Sequence, residues 1–328
     1  MYYVARMQVV EEAQIRAAVS LPAAIDAVRA GFAAMAADRV RLGGTIHLDV
    51  PESSGEVHVK GAHVEGEPFI VVKVAGGFYE NPAKGLPVGP GMMVVLDATT
   101  GVPAALLNDN GWLTDVRTAA AGAVAADLLA RRQLRKVAVV GSGVQARHQL
   151  RALTVVREPE TVVVWGRDHS KAERCATDLA DEVTADVTAA GDLEEAIRDA
   201  DLVVTVTPSR TPLVRADWLT PGVHVTAVGA DGPLKRELES AVLSRADVLV
   251  VDSIDQCSRL GELHHAIADG SVDPTDVTAE IGELVSSSES LRASDDLITV
   301  CDLTGVGVQD WAIASLVMST LAADSAVE

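Results

Sequence analysis

The run Lys136-Val-Ala-Val-Val-Gly-Ser-Gly-Val-Gln-Ala146 constrains this chain more than any other stretch. An apolar, β-branched segment enters Gly141-Ser142-Gly143 and leaves it as a helix-forming sequence, so the backbone must pass from a buried strand through a tight turn into a helix. Gly141 permits the turn, Gly143 lets a ligand approach the backbone, and Ala146 keeps the helix close to the strand. N–H groups at a helix start have no intrahelical partner and attract negative charge. The pattern suits the pyrophosphate of a nicotinamide dinucleotide. Ordinary turns also carry G-x-G-x-x-A, and it is the flanking strand and helix that favour the dinucleotide.

Apolar strand-like runs recur beyond residue 135, at Val137–Val140, Thr161–Trp165, Leu202–Thr207, His224–Gly229, Val248–Asp252 and Leu297–Leu303. Helical patterns at Val144–Val156, Lys171–Ala180 and Leu193–Ala200 separate several of them. Strands alternating with helices read as a doubly wound parallel sheet, and near-continuous Val/Ile strands fit burial on both faces. The fold expected is α/β, with a Rossmann-type domain over residues 119–308. Residues 1–118 read differently. An amphipathic helix at Leu21–Ala37 precedes alternating stretches at Gly55–Gly61, Phe69–Val74 and Met92–Leu96, with turns at Asn81-Pro82 and Thr100-Gly101. That pattern predicts a mostly antiparallel sheet, half-solvated or paired with a partner. A helix from Thr118 to Arg131 links the two parts. The helical segment Gln309–Ala323 is expected to return to the first part, so that residues 1–118 and 309–328 form one discontinuous α+β domain for substrate binding and dimerisation.

The chain has 328 residues, 48% of them hydrophobic, and no apolar run near the ~20 residues of a membrane span. Met1-Tyr-Tyr-Val-Ala-Arg-Met7 lacks a signal-peptide core, which makes the cytoplasm the expected compartment. A net charge of −20 speaks against a nucleic-acid surface. It fits either a high-salt cytoplasm or a lysine-poor genome. Cys175, Cys257 and Cys301 are widely spaced and read as small buried residues. The eight histidines, the pair His264-His265 included, show no ligand spacing, so no metal is expected.

Lys73 lies inside the apolar strand Phe69-Ile-Val-Val-Lys-Val74. It is either a strand-edge lysine reaching solvent or a buried cation with a role. Arg117, at the start of the linking helix, can hold a carboxylate in a bidentate manner or simply pair with Asp115. Asp231 follows the strand His224–Gly229, at the carboxyl edge where ligands of such sheets bind.

Several segments, in this order around the glycine turn, resemble the ornithine cyclodeaminase/mu-crystallin family. They are Val72-Lys73 with Gly77-Phe-Tyr-Glu-Asn-Pro82, Gly85-Leu-Pro87, Leu113-Thr-Asp-Val-Arg-Thr-Ala-Ala120, Val228-Gly-Ala-Asp-Gly-Pro233 with Lys235 and Glu237, Gly261-Glu-Leu263, and Gly307-Val-Gln-Asp310. The resemblance covers nearly the whole chain. It implies a homodimeric, NAD(P)-dependent enzyme acting on an amino, imino or keto acid, with neither nucleic acid nor membrane as partner. It assigns Lys73 and Arg117 to the substrate carboxylate, Asp231 to proton exchange with the substrate nitrogen, and Lys73 to assistance in that step. Ser142, Val144 and Gln145 match the phosphate loop, and Thr118 lies near a phosphate. Lys235, Val228 and Thr207 border the cofactor. Thr304 and Gly305 match a late loop over nicotinamide and substrate.

The sequence departs from the family pattern twice. Thr45 stands where many relatives carry a carboxylate-binding arginine, with Arg41 as a neighbouring possibility and Lys60 as a substitute charge. Gly166 stands where NAD-binding proteins of this fold usually carry an acidic residue for the ribose. Arg167, with Ser170 and Lys171, suits a 2′-phosphate, and Asp168 suits NAD if the loop turns one residue later, so NADP is slightly favoured. The reactions implied are reduction of an imino acid or ketimine, or its reverse; alternatively cyclodeamination with catalytic NAD+; or, further off, non-enzymatic binding of a cofactor or small ligand.

Overall fold

The computed structural model describes residues 7–325. The signal-peptide reading of Met1–Met7 therefore falls almost entirely outside the described residues. The chain divides into two compact units, one running to Arg117 and resuming at Val306, the other Thr118–Gly305.

In the first unit, β1 (Gln8–Glu11), β2 (Val40–Leu42), β3 (Ile46–Val50), β4 (Gly55–Val64), β5 (Phe69–Phe78), β6 (Gly91–Asp97) and β7 (Pro103–Asn108) form one sheet. Its order is β1-β7-β6-β5-β4-β2, and β3 pairs a further stretch of β4. All pairs are antiparallel except β1 with β7, which the alternation of the sequence did not reveal. Period-two alternation puts Ala62, Val64, Val71, Met93, Val95, Ala105 and Leu107 on the buried face. Lys60 and Lys73 share that face.

Helices α1 (Glu12–Ala18) and α2 (Leu21–Ala36) lie between β1 and β2, and the C-terminal helix Gly307–Ser325 returns to the sheet. Ser20 starts α2 by accepting the Ala23 N–H, with Pro22 in the first turn. Ala24, Ile25, Val28, Gly31 and Phe32 form its buried stripe. Gly31 brings the C-terminal helix close, since an added Cβ would touch Val308 and Ala312 at 3.4 Å. Trp311 Nε1 donates to the Phe69 carbonyl at 3.0 Å.

Helix α3 (Trp112–Leu129) begins well before the Thr118 expected from sequence. Buried Asp109 accepts the Leu113 N–H at 2.7 Å and so satisfies a first-turn donor. Arg117 consequently sits within the helix and not at its start.

In the second unit, β8 (Leu134–Val140), β9 (Pro159–Trp165), β10 (Asp186–Ala189), β11 (Leu202–Thr205), β12 (His224–Ala227), β13 (Val248–Val251), β14 (Ala279–Glu280) and β15 (Thr299–Asp302) form a wholly parallel sheet. Its order is β10-β9-β8-β11-β12-β15-β13-β14. Helices α4 (Val144–Val156) and α5 (His169–Ala180) pack with Val137 and Val139 in one apolar cluster, while Ala138 and Val140 belong to a second. This is the expected Rossmann-type arrangement. The strand order reverses between β8 and β11, the crevice where ligands of open α/β sheets bind. Among the described residues no single helix is long and apolar enough to cross a membrane.

Candidate functional site

The candidate site has a component in each unit. In the first, β5 carries Lys73 directly opposite Lys60 of β4, and both are buried. Lys73 is therefore not a strand-edge lysine. Its ammonium donates to Asp310 Oδ1 at 2.9 Å. Arg117 Nε lies 2.9 Å from the same oxygen but is poorly aligned with it, so that contact is mainly Coulombic, while Nη1 donates to Gln309 Oε1 at 2.7 Å. The Asp115 pairing considered from sequence gives way to this contact with Asp310. Asp310 Oδ2 and Gln309 Nε2 are buried and have no hydrogen-bond partner among the described residues.

The electrostatics follow from burial. Desolvation, then the Arg117 charge, lower the Lys73 pKa to about 7 against the pull of Asp310. Burial opposes the Asp310 charge, yet Arg117, Lys73 and Lys60 together hold its carboxyl below the usual range. Burial also raises Asp109 to about 6. Three cations, Lys60, Lys73 and Arg117, thus share one electrostatic neighbourhood with Asp310 and a partly neutralised Asp109.

Thr45 lies exposed just before β3, outside this cluster, and Arg41 on β2 is spent on surface pairs with Asp38 and Glu65. Lys60 is the substitute charge that the fold places beside Lys73. Gln309, Asp310 and Asp109 were not singled out from sequence. For Gln309 and Asp310 the signal was present in Gly307-Val-Gln-Asp310, where an acid follows two apolar turns of chain without an obvious partner.

In the second unit, Gly141 has φ 129°, and an added Cβ would stand 2.8 Å from Val206 Cγ2. The turn is thus pressed against the end of β11, and only glycine fits. Nothing lies within 4 Å of a Cβ at Gly143, and no side chain caps α4 there. Val144 is exposed, Ser142 and Gln145 are half-buried, and Ala146 is fully buried beneath the turn. Arg147 braces the loop through the Ser142 and Gly143 carbonyls at 2.9 and 3.1 Å. The main-chain carbonyl of Thr118 accepts from Gln149. An open, uncapped helix start behind a forced turn fits a dinucleotide pyrophosphate.

At the end of β9, a Cβ on Gly166 would come within 2.7 Å of Ser142 Oγ, so a side chain there would have to displace the Ser142 hydroxyl. Asp168 accepts from Ser170 Oγ at 2.7 Å and Lys171 N at 3.3 Å as the cap of α5. Those bonds, from Ser170 and then Lys171, keep its carboxyl below the ordinary value. Arg167 is exposed beside it.

Two buried carboxylates, Glu237 and Asp252, hold Thr207 and the Thr304–Gly305 loop. β11 stops at Thr205, so Thr207 lies past the strand and not at its end. Glu237 accepts the Thr207 N–H and hydroxyl, the Thr205 hydroxyl and the Gly229 N–H, all between 2.6 and 2.8 Å. Burial lifts its pKa to about 7. Val228 is buried just before that loop. Asp231 accepts from Lys235 Nζ at 2.5 Å. Asp252 accepts from Thr304 Oγ1 and Gly305 N at 2.9 and 2.7 Å, fixing the late loop.

A sequence model of the ornithine cyclodeaminase/mu-crystallin family matches residues 4–325. An uncharacterised cyclodeaminase of Sinorhizobium fredii is 45% identical over 94% of this chain and 94% of that protein. The solved Δ1-pyrroline-2-carboxylate reductase of Thermococcus litoralis, in complex with NADH and L-proline, superposes with a TM-score of 0.92 at 26% identity over 97% of this chain and 98% of that one. An archaeal alanine dehydrogenase dimer with bound NAD gives 0.90 at 32% identity, covering 97% of both chains.

Proposed function

The chain belongs to the ornithine cyclodeaminase/mu-crystallin family, and from that premise we propose that it is a nicotinamide-dependent oxidoreductase transferring hydride at the Cα of a small amino or imino acid. The direction inferred is reduction of an α-imino acid or cyclic ketimine. The observation that carries this reading is the buried gathering of Lys60, Lys73 and Arg117 about Asp310, which sets cationic groups side by side where an acid's carboxylate would be held. Arg117 and Lys73 hold that carboxylate, and Lys60 serves where many relatives use arginine. Asp231, oriented by Lys235, exchanges the proton on the substrate nitrogen. Gly141, Ser142, Gly143, Val144 and Gln145 receive the pyrophosphate, with Thr118, Thr207, Val228 and Lys235 along the cofactor and Thr304–Gly305 as the loop nearest the nicotinamide. The dinucleotide, when bound, supplies or accepts the hydride, and the protein's part is orientation and charge.

The β9–α5 turn supports NADPH, because Gly166 supplies no acid and Asp168 is engaged in its cap, leaving Arg167 for a 2′-phosphate. The solved relatives carry NAD and NADH, so this preference rests on the turn alone. One face of the first unit's sheet exposes Ile46, Leu48 and Met92, which supports a homodimer formed through that face. Light scattering at micromolar concentration checks this; a monomer argues against it.

The deciding experiment follows NADPH and NADH oxidation with pyruvate, glyoxylate and oxaloacetate plus ammonia or methylamine, and with pyrroline- and piperideine-2-carboxylate. Stoichiometric oxidation supports the reductase. Ammonia release from ornithine or lysine with catalytic NAD+ and no net absorbance change moves the assignment to cyclodeamination, the reaction named for the Sinorhizobium relative.

A further inference from the structure

We propose that His47, Glu56 and His58 form a binding site for a single zinc-type divalent cation on the sheet of the first unit, tying β3 to β4. The register places His47 opposite His58 and Asp49 opposite Glu56. Alternation along each strand puts all four side chains on one face. One ligand atom from each of His47, Glu56 and His58 lies within 4.8 Å of the other two. His47 Nδ1 is 3.4 Å from His58 Nδ1, and His58 Nε2 is 3.5 Å from Glu56 Oε2. Around an ion with bonds of about 2.0–2.2 Å, tetrahedral ligand atoms stand ~3.3 Å apart. His58 gives an ion only one of these two nitrogens, so the third ligand closes in from within the 4.8 Å spread of the set by side-chain rotation.

The surrounding bonds prepare the ligands. Asp49 Oδ1 lies 3.0 Å from His47 Nε2. An ionised carboxylate only accepts, so Nε2 carries the proton and the Nδ1 lone pair of a neutral His47 faces His58. A metal-bound histidine characteristically gives its other N–H to a carboxylate in this way. Tyr79 donates to Glu56 Oε1 at 2.7 Å and steadies that carboxylate while Oε2 turns to His58. His58 Nε2 is buried and makes no hydrogen bond among the described residues, a ligand atom that a cation would satisfy. Gly77, opposite Glu56 on β5, has no side chain, and the Glu56 carboxylate and the Tyr79 hydroxyl lie over it, 3.0 and 3.4 Å from where a Cβ would stand. The Glu56 and His58 side chains are only 13% exposed and that of His47 is 30% exposed, so the set is sheltered but reachable.

Two imidazoles and a carboxylate suit zinc and its neighbours, with a fourth position left for water. The absence of ligand spacing among the histidines in sequence does not bear on this set. His47 and His58 meet through strand register, eleven residues apart.

The test uses the full chain without a histidine tag, stripped with EDTA and titrated with zinc chloride by calorimetry. Retained zinc is counted after gel filtration. One zinc per chain and a raised Tm are expected. His47→Gln and His58→Gln should each abolish retention, and Asp49→Asn should weaken binding about 10–100-fold. The metal-free Tm and circular dichroism of each variant establish that the strands persist. Cobalt substitution, read by the intense visible bands of a four-coordinate ion, reports the geometry independently. Failure of the wild-type chain to retain zinc overturns the proposal, as does equal retention by the double variant His47→Gln/His58→Gln.

Discussion

At the scale of single residues, the chemistry rests on how few charges are buried together. Lys73 titrates near pH 7 because burial and Arg117 outweigh Asp310. In the proposed function its proton serves to hold the substrate carboxylate, so kcat/KM should fall above about pH 7, approaching tenfold per pH unit, and Lys73→Met should remove that limb from the profile. Arg117 to lysine keeps the charge but loses the fork that reaches Gln309 and Asp310. A rise in substrate KM of ~10–100-fold is expected, from the 1.5–3 kcal/mol typical of a charged hydrogen bond, with cofactor KM unchanged in steady-state assays. Lys73 stood out in the sequence because a cation amid valines contradicts its surroundings. Asp310 did not, because its partner on β5 is 237 residues away and only tertiary packing joins them.

Among elements, the glycine turn and its flanking strand and helix were legible because three local signals coincide there: β-branched residues, paired glycines and a helical pattern. The short strands β10 and β14 escaped notice, since β10 buries only Val187 and β14 has two residues, whereas the legible four-residue strands are buried throughout. The early start of α3 was hidden because its first turn depends on Asp109, a residue that reads locally as part of a turn. The β9–α5 turn gives a prediction at this scale. Arg167→Ala should lower kcat/KM for NADPH by ~10-fold or more and leave that for NADH nearly unchanged, read from paired initial rates. Loss of both activities alike would argue that Arg167 does not touch the cofactor.

For the molecule as a whole, buried ionisable groups set how stability responds to pH. Burial lifts Asp302 to about 8 and Glu237 to about 7. Each contributes stability fully below its ordinary unfolded value and loses it as pH rises through the folded one. His224, buried and lowered to about 3, acts oppositely, its contribution being present above pH 6.5 and lost as pH falls towards 3. Asp302→Asn should therefore flatten the decline in Tm between pH 5 and 8 and cost most at acid pH, as scanning calorimetry would record. The net charge of −20 was plain from composition but does not disclose these groups, because they lie out of contact with solvent. The chain's path has a further consequence. It leaves the first unit after Arg117 and re-enters it only at Val306, so a ribosome delivers Lys73 and Arg117 long before Asp310. Until the last helix emerges, the two cations share a core with no counter-charge from Asp310. The first unit is then a nascent chain waiting on its own C-terminus, open to chaperones for as long as the intervening sheet takes to be translated.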